Sequence, residues 1–346
     1  MLIRKSFVRL AAVLTAFSVI QGAARSASDS TAFVRLDAAT LPVTAKIHIG
    51  GDPDWLASGF GSMWVSVPKL NEIVRINPLN NTVKARIRVD KEPCYGIGIG
   101  ATRAWVLNCK SQTLTRMNPS TNKVDLTVPV NIASHGEGSI AVREGFVWFV
   151  SNEDGHAGTL LQMSPQGRIR GKVAVGADSA VVVAAFGSIW VTSSGEGRIY
   201  RVNPITREII AKISVPDTPR FTTIGDGSVW VLSQSDGSVS RIDPAQNKVI
   251  ATIQVKVPGA GGDIAYGGGY IWVAAGGTPL TRIDPKTNKV IDQYGNYKGA
   301  DAVRFAFGSV WVSDHGKGDL WRIDPAKMPR PKSPPDGKME ARLLEH

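Results

Sequence analysis

Phe307 to Pro325 reads FGSVWVSDHGKGDLWRIDP. A Gly-Ser turn opens it, a short apolar strand carries Trp311, a polar loop with two glycines follows, and a second strand runs into an Asp-Pro turn. The same order of features recurs along the chain. One marker is a tryptophan, at Trp64, Trp105, Trp148, Trp190, Trp230, Trp272 and Trp311, with gaps of 39 to 43 residues. A second marker keeps the same period: Asn77-Pro78, Asn118-Pro119, Ser164-Pro165, Asn203-Pro204, Asp243-Pro244, Asp284-Pro285 and Asp324-Pro325. Two independent markers with one period identify a repeat. A repeat of this length is one supersecondary unit that must stack on its neighbours to bury its apolar face.

Each unit divides into four short strands. Strand A is a small-residue stretch such as Asp263–Gly267, and strand B carries the tryptophan, as in Val229-Trp230-Val231. Strand C runs into the Asx-Pro turn, as in Val239 to Pro244, and strand D alternates after it, as in Lys248 to Ile253. The C–D turn has a mechanism: proline presets its own φ, the preceding Asn or Asp bonds the turn backbone, and Asn81, Asn122, Gly167, Asn247 and Asn288 tolerate a left-handed conformation. Four antiparallel strands per unit make the blade of a β-propeller, so the expected fold is all-β with seven four-stranded blades. Residues 42–49, PVTAKIHI, read as a strand D without a blade, while the last unit lacks a strand D. The N-terminal strand is therefore expected to pair with residues 318–324 and close the ring, which removes an unpaired edge.

The domain plan is a leader at 1–27, a linker at 28–41, the propeller at 42–325 and a Pro- and Lys-rich tail at 326–346 expected to be disordered. The leader has a basic start (Arg4, Lys5, Arg9), an apolar run from Leu10 to Ile20 and small residues after it, the pattern of a secretory signal cleaved near Ala24 or Ser26. Periplasmic or secreted localisation is the expectation, with no membrane span after cleavage. Losing 1–27 removes four basic residues and no acids, so the formal charge of +11 falls to +7. The remaining charge is spread through the repeats and matches no nucleic-acid motif, so nucleic acid is not an expected partner. A phosphate loop, a GxSxG elbow and an HExxH pair are absent from the sequence. Gly96-Ile97-Gly98-Ile99-Gly100 lies on a strand with no helix after it and is a poor dinucleotide match.

Candidate site residues come from differences between the units, on the face made by the D–A and B–C loops. Cys94 and Cys109 flank the Ala101-Thr102 turn symmetrically and should meet across the hairpin as a disulfide; the alternative is two free thiols. The third unit is longest, with its extra residues at 151–159. Glu153, Asp154 and His156 there, with His135 and Glu137 in the loop before the unit, could form a metal or acid–base site, or simply a solvated loop. Around the channel mouth stand Asp54, Trp55, Tyr95, Arg220, Asp263 and Asp301, with Asp314 and His315 on the same face, a set suited to a small polar ligand or to a wet channel that binds nothing. The strand-C arginines (Arg75, Arg116, Arg201, Arg241, Arg282, Arg322) recur in nearly every unit and read as structural.

Repeat units of the form FGSxWVS…RIDPxTNKVIxxI resemble the YVTN- or YncE-like β-propeller repeats of exported bacterial proteins, and are similar to the propeller of streptogramin (virginiamycin B) lyases. The lyase resemblance implies catalytic histidines at strand-A starts, a nearby glutamate and magnesium. The corresponding positions here are Asp54, Tyr95, Gly138, Ala180, Arg220, Gly262 and Asp301, none a histidine; His135 is the nearest. The heavy chains of quinoprotein amine dehydrogenases are a further resemblance, implying a supporting role beside a cofactor subunit.

Three functions stay open on these grounds. The leading one is a monomeric exported propeller that binds a protein, peptide or small molecule on its loop face and does no chemistry. The second is a lyase- or hydrolase-like enzyme with a shifted site around His135 and His156. The third is a propeller subunit of a periplasmic redox complex. No cofactor is firmly implied; a divalent ion, magnesium or calcium, is the candidate.

Overall fold

The computed structural model describes residues 33–329 apart from 95, 133–137, 152–157, 258 and 260. Seven antiparallel four-stranded sheets follow one another along the chain, and consecutive sheets pack through their inner strands into a ring, a seven-bladed β-propeller. Blade 1 is formed by Leu56–Gly59, Ser62–Val67, Glu72–Asn77 and Thr82–Arg88, innermost strand first, and the later blades repeat that order. Blade 7 takes three strands from the C-terminus, Ala300–Ala306, Ser309–Asp314 and Asp319–Ile323, and its outer strand from the N-terminus, Val43–His48. That strand pairs antiparallel from Val43 against Ile323 to His48 against Asp319, as the missing fourth strand predicts.

The turns explain why the sequence folds this way. Asn77, Asn118, Asn203, Asp243, Asp284 and Asp324 each accept a hydrogen bond through Oδ1 from the backbone N–H two residues on. Asn81, Asn122, Asn247 and Asn288 have φ between 53° and 59°, and Gly167 has 78°. Inner hairpins use two consecutive left-handed residues, Phe60-Gly61, Phe186-Gly187, Asp226-Gly227 and Phe307-Gly308, the turn whose twist matches the flanking strands.

The tryptophans are core. Trp64, Trp148, Trp190, Trp230, Trp272 and Trp311 are fully buried between blades. Opposite these six and Trp105, strand C contributes a second ring of seven residues: Arg75, Arg116, Gln162, Arg201, Arg241, Arg282 and Arg322. Arg75, Arg201, Arg241 and Arg322 reach into the next blade's Asx-Pro turn, bonding its proline carbonyl and its left-handed asparagine. The same guanidinium groups stack on the tryptophan of their own blade at 4.4 to 5.0 Å. The repeated arginines thus tie blade to blade, as their recurrence suggests.

Two stretches at the ends differ from expectation. Inside the segment read as a linker, Val34–Asp37 pairs parallel to Asp292–Gly295, making a fifth strand that covers the outer edge of blade 6. After the last strand, Pro325–Lys327 forms a 3-10 turn, Met328 is buried, and the Pro329 carbonyl accepts from Arg282. The start of the tail is therefore docked. Cys94 and Cys109 are joined as a disulfide, with Cα atoms 5.8 Å apart.

Candidate functional site

The inner strands enclose a central cavity of about 340 Å³. Inner strands in this repeat are made of small and β-branched residues because seven of them must converge on one axis. Seven residues before each blade tryptophan the column reads Ala57, Gly98, Ala141, Val183, Thr223, Ala265 and Arg304. Arg304 is the exception. Its guanidinium lies 3.2 Å from the Asp263 carboxylate, on the neighbouring blade, and donates to the carbonyls of Leu56 and Ile264. Asp263 is only 2% exposed and also accepts from the backbone N–H groups of Ile264 and Val303. Burial pushes its carboxyl up to about 6, although the Arg304 charge pulls the other way. A buried carboxylate near neutrality is a common mark of a functional site, and also of a structural ion pair.

Nine residues before the tryptophans a second layer reads Trp55, Gly96, Ser139, Val181, Phe221, Asp263 and Ala302. Trp55 and Phe221 come from blades 1 and 5 and meet across the axis, ring centroids 5.8 Å apart, both almost fully buried. They cover the end of the cavity nearest the D–A loops. Towards the A–B turns the strands open: in blade 4, Ser179–Val182 is buried and Val183–Ala185 half-buried. In that blade the inner strand is thus more exposed towards the turn face than towards the loop face. Two polar atoms on side chains lining the cavity, Trp55 Nε1 and Thr222 Oγ1, are buried without a hydrogen-bond partner. The walls around them are apolar, with Ile97, Ile140 and Val182 prominent.

The structure brings two of the expected residues together here, Trp55 and Asp263. Asp54 enters blade 1 with its backbone N–H on the Ser66 carbonyl. Arg220 lies in the inner strand of blade 5, its carbonyl accepting from Thr192, and is not part of the cavity wall. Asp301 accepts from the Gly262 N–H at 3.0 Å, fastening the entry to blade 6. Asp314 is fully buried, accepting from the Tyr297 hydroxyl and from the Lys317 N–H, so it holds the B–C loop of blade 7. Burial and that carboxylate raise the Tyr297 hydroxyl above its ordinary value. His315 sits 3.9 Å from Asp52 on the loop face, away from the axis. Tyr95, His135, Glu137, Asp154 and His156 lie outside the described residues, as does Glu153. Among the described residues there is no group of three His, Cys, Asp or Glu side chains able to hold a metal ion, and no helix long and apolar enough to cross a membrane. Arg304 and Thr222 were missed, although Arg304 is visible in the sequence as the one charged residue in its column.

Comparison with known proteins gives the fold relatives. Residues 210–332 match a family described as a domain of unknown function, DUF5074. A search of curated protein sequences gives no match. Among solved structures, a streptogramin B lyase superposes with a TM-score of 0.68 at 16% identity, covering 81% of this chain and 96% of that one. A catalytically inactive virginiamycin B lyase from Staphylococcus aureus, with quinupristin, gives 0.68 at 14%, covering 81% and 98%. BamB from Moraxella catarrhalis gives 0.62 at 12%, covering 84% and 99%. The chain is thus distantly similar to the streptogramin lyase propellers, and at such identities the likeness is one of fold.

Proposed function

We propose that this propeller is an exported binding protein that holds a small, largely apolar molecule with one or two hydrogen-bonding groups in its central channel. The observation that carries this reading is the axial cavity itself, about 340 Å³ with largely apolar walls around the buried Asp263–Arg304 pair; Trp55 Nε1 and Thr222 Oγ1, unpartnered on two residues of its wall, are reached by a guest only after a side-chain shift. A buried donor left unmade costs about 1–3 kcal/mol, a cost that a guest's oxygen or nitrogen brought within reach of either atom would offset. The cavity volume lies at the small end of the ligand-pocket range of roughly 300–1,000 Å³. Arg304 and Asp263 are already paired and hydrogen-bonded to backbone, so their role is to hold the inner strands of blades 6, 7 and 1 at a fixed separation and to polarise one wall. Export is supported by the leader-like residues 1–27 and by the Cys94–Cys109 bridge, which suits an oxidising compartment.

Native mass spectrometry of the protein isolated from its own host tests this. The wild type should carry an adduct of a few hundred daltons, on the scale such cavities accept. Trp55→Phe and Thr222→Val, which keep shape and remove the polar group, should each lose most of it. A bare wild-type mass, or equal adduct on both variants, overturns the reading.

A further inference from the structure

The D–A and B–C loops break the repeat in one place. Five residues after the blade tryptophan, in the B–C loop, blades 1 and 2 carry Lys69 and Lys110, where the other five carry Glu153, Gly195, Ser235, Gly277 and Gly316. Fourteen residues before the tryptophan, in the D–A loop, blade 2 has Lys91, where the others have Gly50, Ser134, Gly176, Pro216, Pro258 and Tyr297. The three lysines border one basin of about 490 Å³ between blades 1 and 2. It shares no wall residue with the axial cavity, so it stands apart from the channel-binding role proposed above.

Each lysine is mounted on a fixed backbone. Lys69 lies in the 3-10 turn Pro68–Leu70 and gives its N–H to the Asp52 carboxylate at 2.7 Å. Lys91 gives its N–H to Asp90, whose other oxygen accepts from the Thr113 hydroxyl. Lys110 follows Cys109, which is bonded to Cys94 and gives its backbone N–H to the Glu92 carbonyl. Asn71, with φ of 54°, joins the loops: its side-chain oxygen accepts from the Glu92 N–H and its backbone carbonyl from the Val89 N–H. The side chains themselves are uncommitted. All three lysines are exposed, and among the described residues none of their ammonium groups has an ion-pair or hydrogen-bond partner. The acids of the wall are Asp52 and Glu92. Asp52 is buried, holds the Lys69 N–H and lies 3.9 Å from His315 Nε2. Glu92 is left as the one exposed acid against three cations.

We propose that this basin binds a small organic polyanion, in its simplest form a tricarboxylate. The volume falls in the ligand-pocket range of roughly 300–1,000 Å³, which suits an organic molecule rather than a lone ion. A concave site lined by one sign of charge concentrates ions of the other sign. An ammonium group is a point charge that donates to a single carboxylate oxygen without needing the paired geometry of a guanidinium fork. One carboxylate per lysine neutralises the set and relieves the mutual repulsion of the three cations. Glu92 offsets one lysine, so a monocarboxylate gains little where a trianion gains much. A polycation meets the same three ammonium groups and is repelled.

Tricarballylate is the probe, with glutarate, acetate and spermidine as comparison arms, read by isothermal titration calorimetry of the full chain at low salt. Tricarballylate should bind, glutarate should bind about tenfold more weakly, and acetate and spermidine should give no saturable heat. Lys91→Gln and Lys110→Gln should each weaken tricarballylate binding about fivefold with an unchanged melting midpoint. Lys248→Gln, in the outer strand of blade 5, should leave binding unchanged, because the basin and not the net charge is the cause. The proposal is overturned by the absence of saturable tricarballylate binding, by equal affinity for acetate or spermidine, by undiminished binding in Lys91→Gln or Lys110→Gln, or by an equal loss in Lys248→Gln.

Discussion

Replacing Asp263 by asparagine should remove a specific pH dependence of stability. In the folded chain the Asp263 carboxyl is pushed up to about 6 by burial. In the unfolded chain it returns to about 3.9. Between these values the folded state binds the extra proton, so the Asp263 contribution to stability is greatest at low pH and falls as pH rises through that window. Each pKa unit is about 1.36 kcal/mol, so a shift of roughly two units is worth about 3 kcal/mol in full, of which about 2 kcal/mol falls between pH 4 and pH 7. Asparagine does not titrate and lacks this slope. Denaturant unfolding of both proteins from pH 4 to pH 7 gives the comparison, since contributions from all other groups cancel in the difference. Wild-type stability minus variant stability should drop by about 2 kcal/mol across the window and then level off. A flat difference would refute the burial argument. A rising one would show that Arg304 outweighs burial and holds the carboxyl below its ordinary value.

Other parts of the molecule give separate expectations. Arg241→Ala breaks ties to Pro285, Asn288 and Asp226 from a side chain 14% exposed, and should cost roughly 3 kcal/mol in unfolding free energy, whereas Arg103→Ala, a more exposed partner of Asp125, should cost under about 1. Ile47→Asp places a charge in the buried face of the closing strand; hydrogen exchange should show protection lost first in Asp319–Ile323, and uniform loss across all blades would contradict the closure. Cys94→Ser/Cys109→Ser opens a bridge spanning 15 residues and should lower stability by about 3 kcal/mol, read by denaturant midpoint; an unchanged midpoint would show that the blade 2 hairpin is held by its strands alone.

Much of the ring is legible in the residues because blade geometry repeats. Tryptophan and arginine recur at matched offsets, and proline and asparagine have few backbone options, so Trp311, Arg322 and Asp324-Pro325 state the last blade and its missing strand. The docked strand Val34–Asp37 is not legible, since its partner is the outer edge of a distant blade and it has no copy elsewhere. The site is harder for a different reason. Asp301 and Asp314 look like ligand carboxylates in the sequence, but backbone N–H groups and Tyr297 occupy them, a fate that depends on loop paths. Arg304 and the basin lysines, Lys69, Lys91 and Lys110, are readable only as departures from their columns, and what each departure leaves open depends on packing. The loop cluster of His135 and His156 lies outside the described residues, so the enzyme reading built on it gains nothing here.

The most direct measurement is a crystal structure of the protein purified from its own host, with attention to the cavity between Trp55 and Arg304. Continuous density larger than a water, within hydrogen-bonding distance of Trp55 Nε1 and Thr222 Oγ1, is the predicted result. A channel holding only separate waters, with ordered density on the loop face instead, would contradict it.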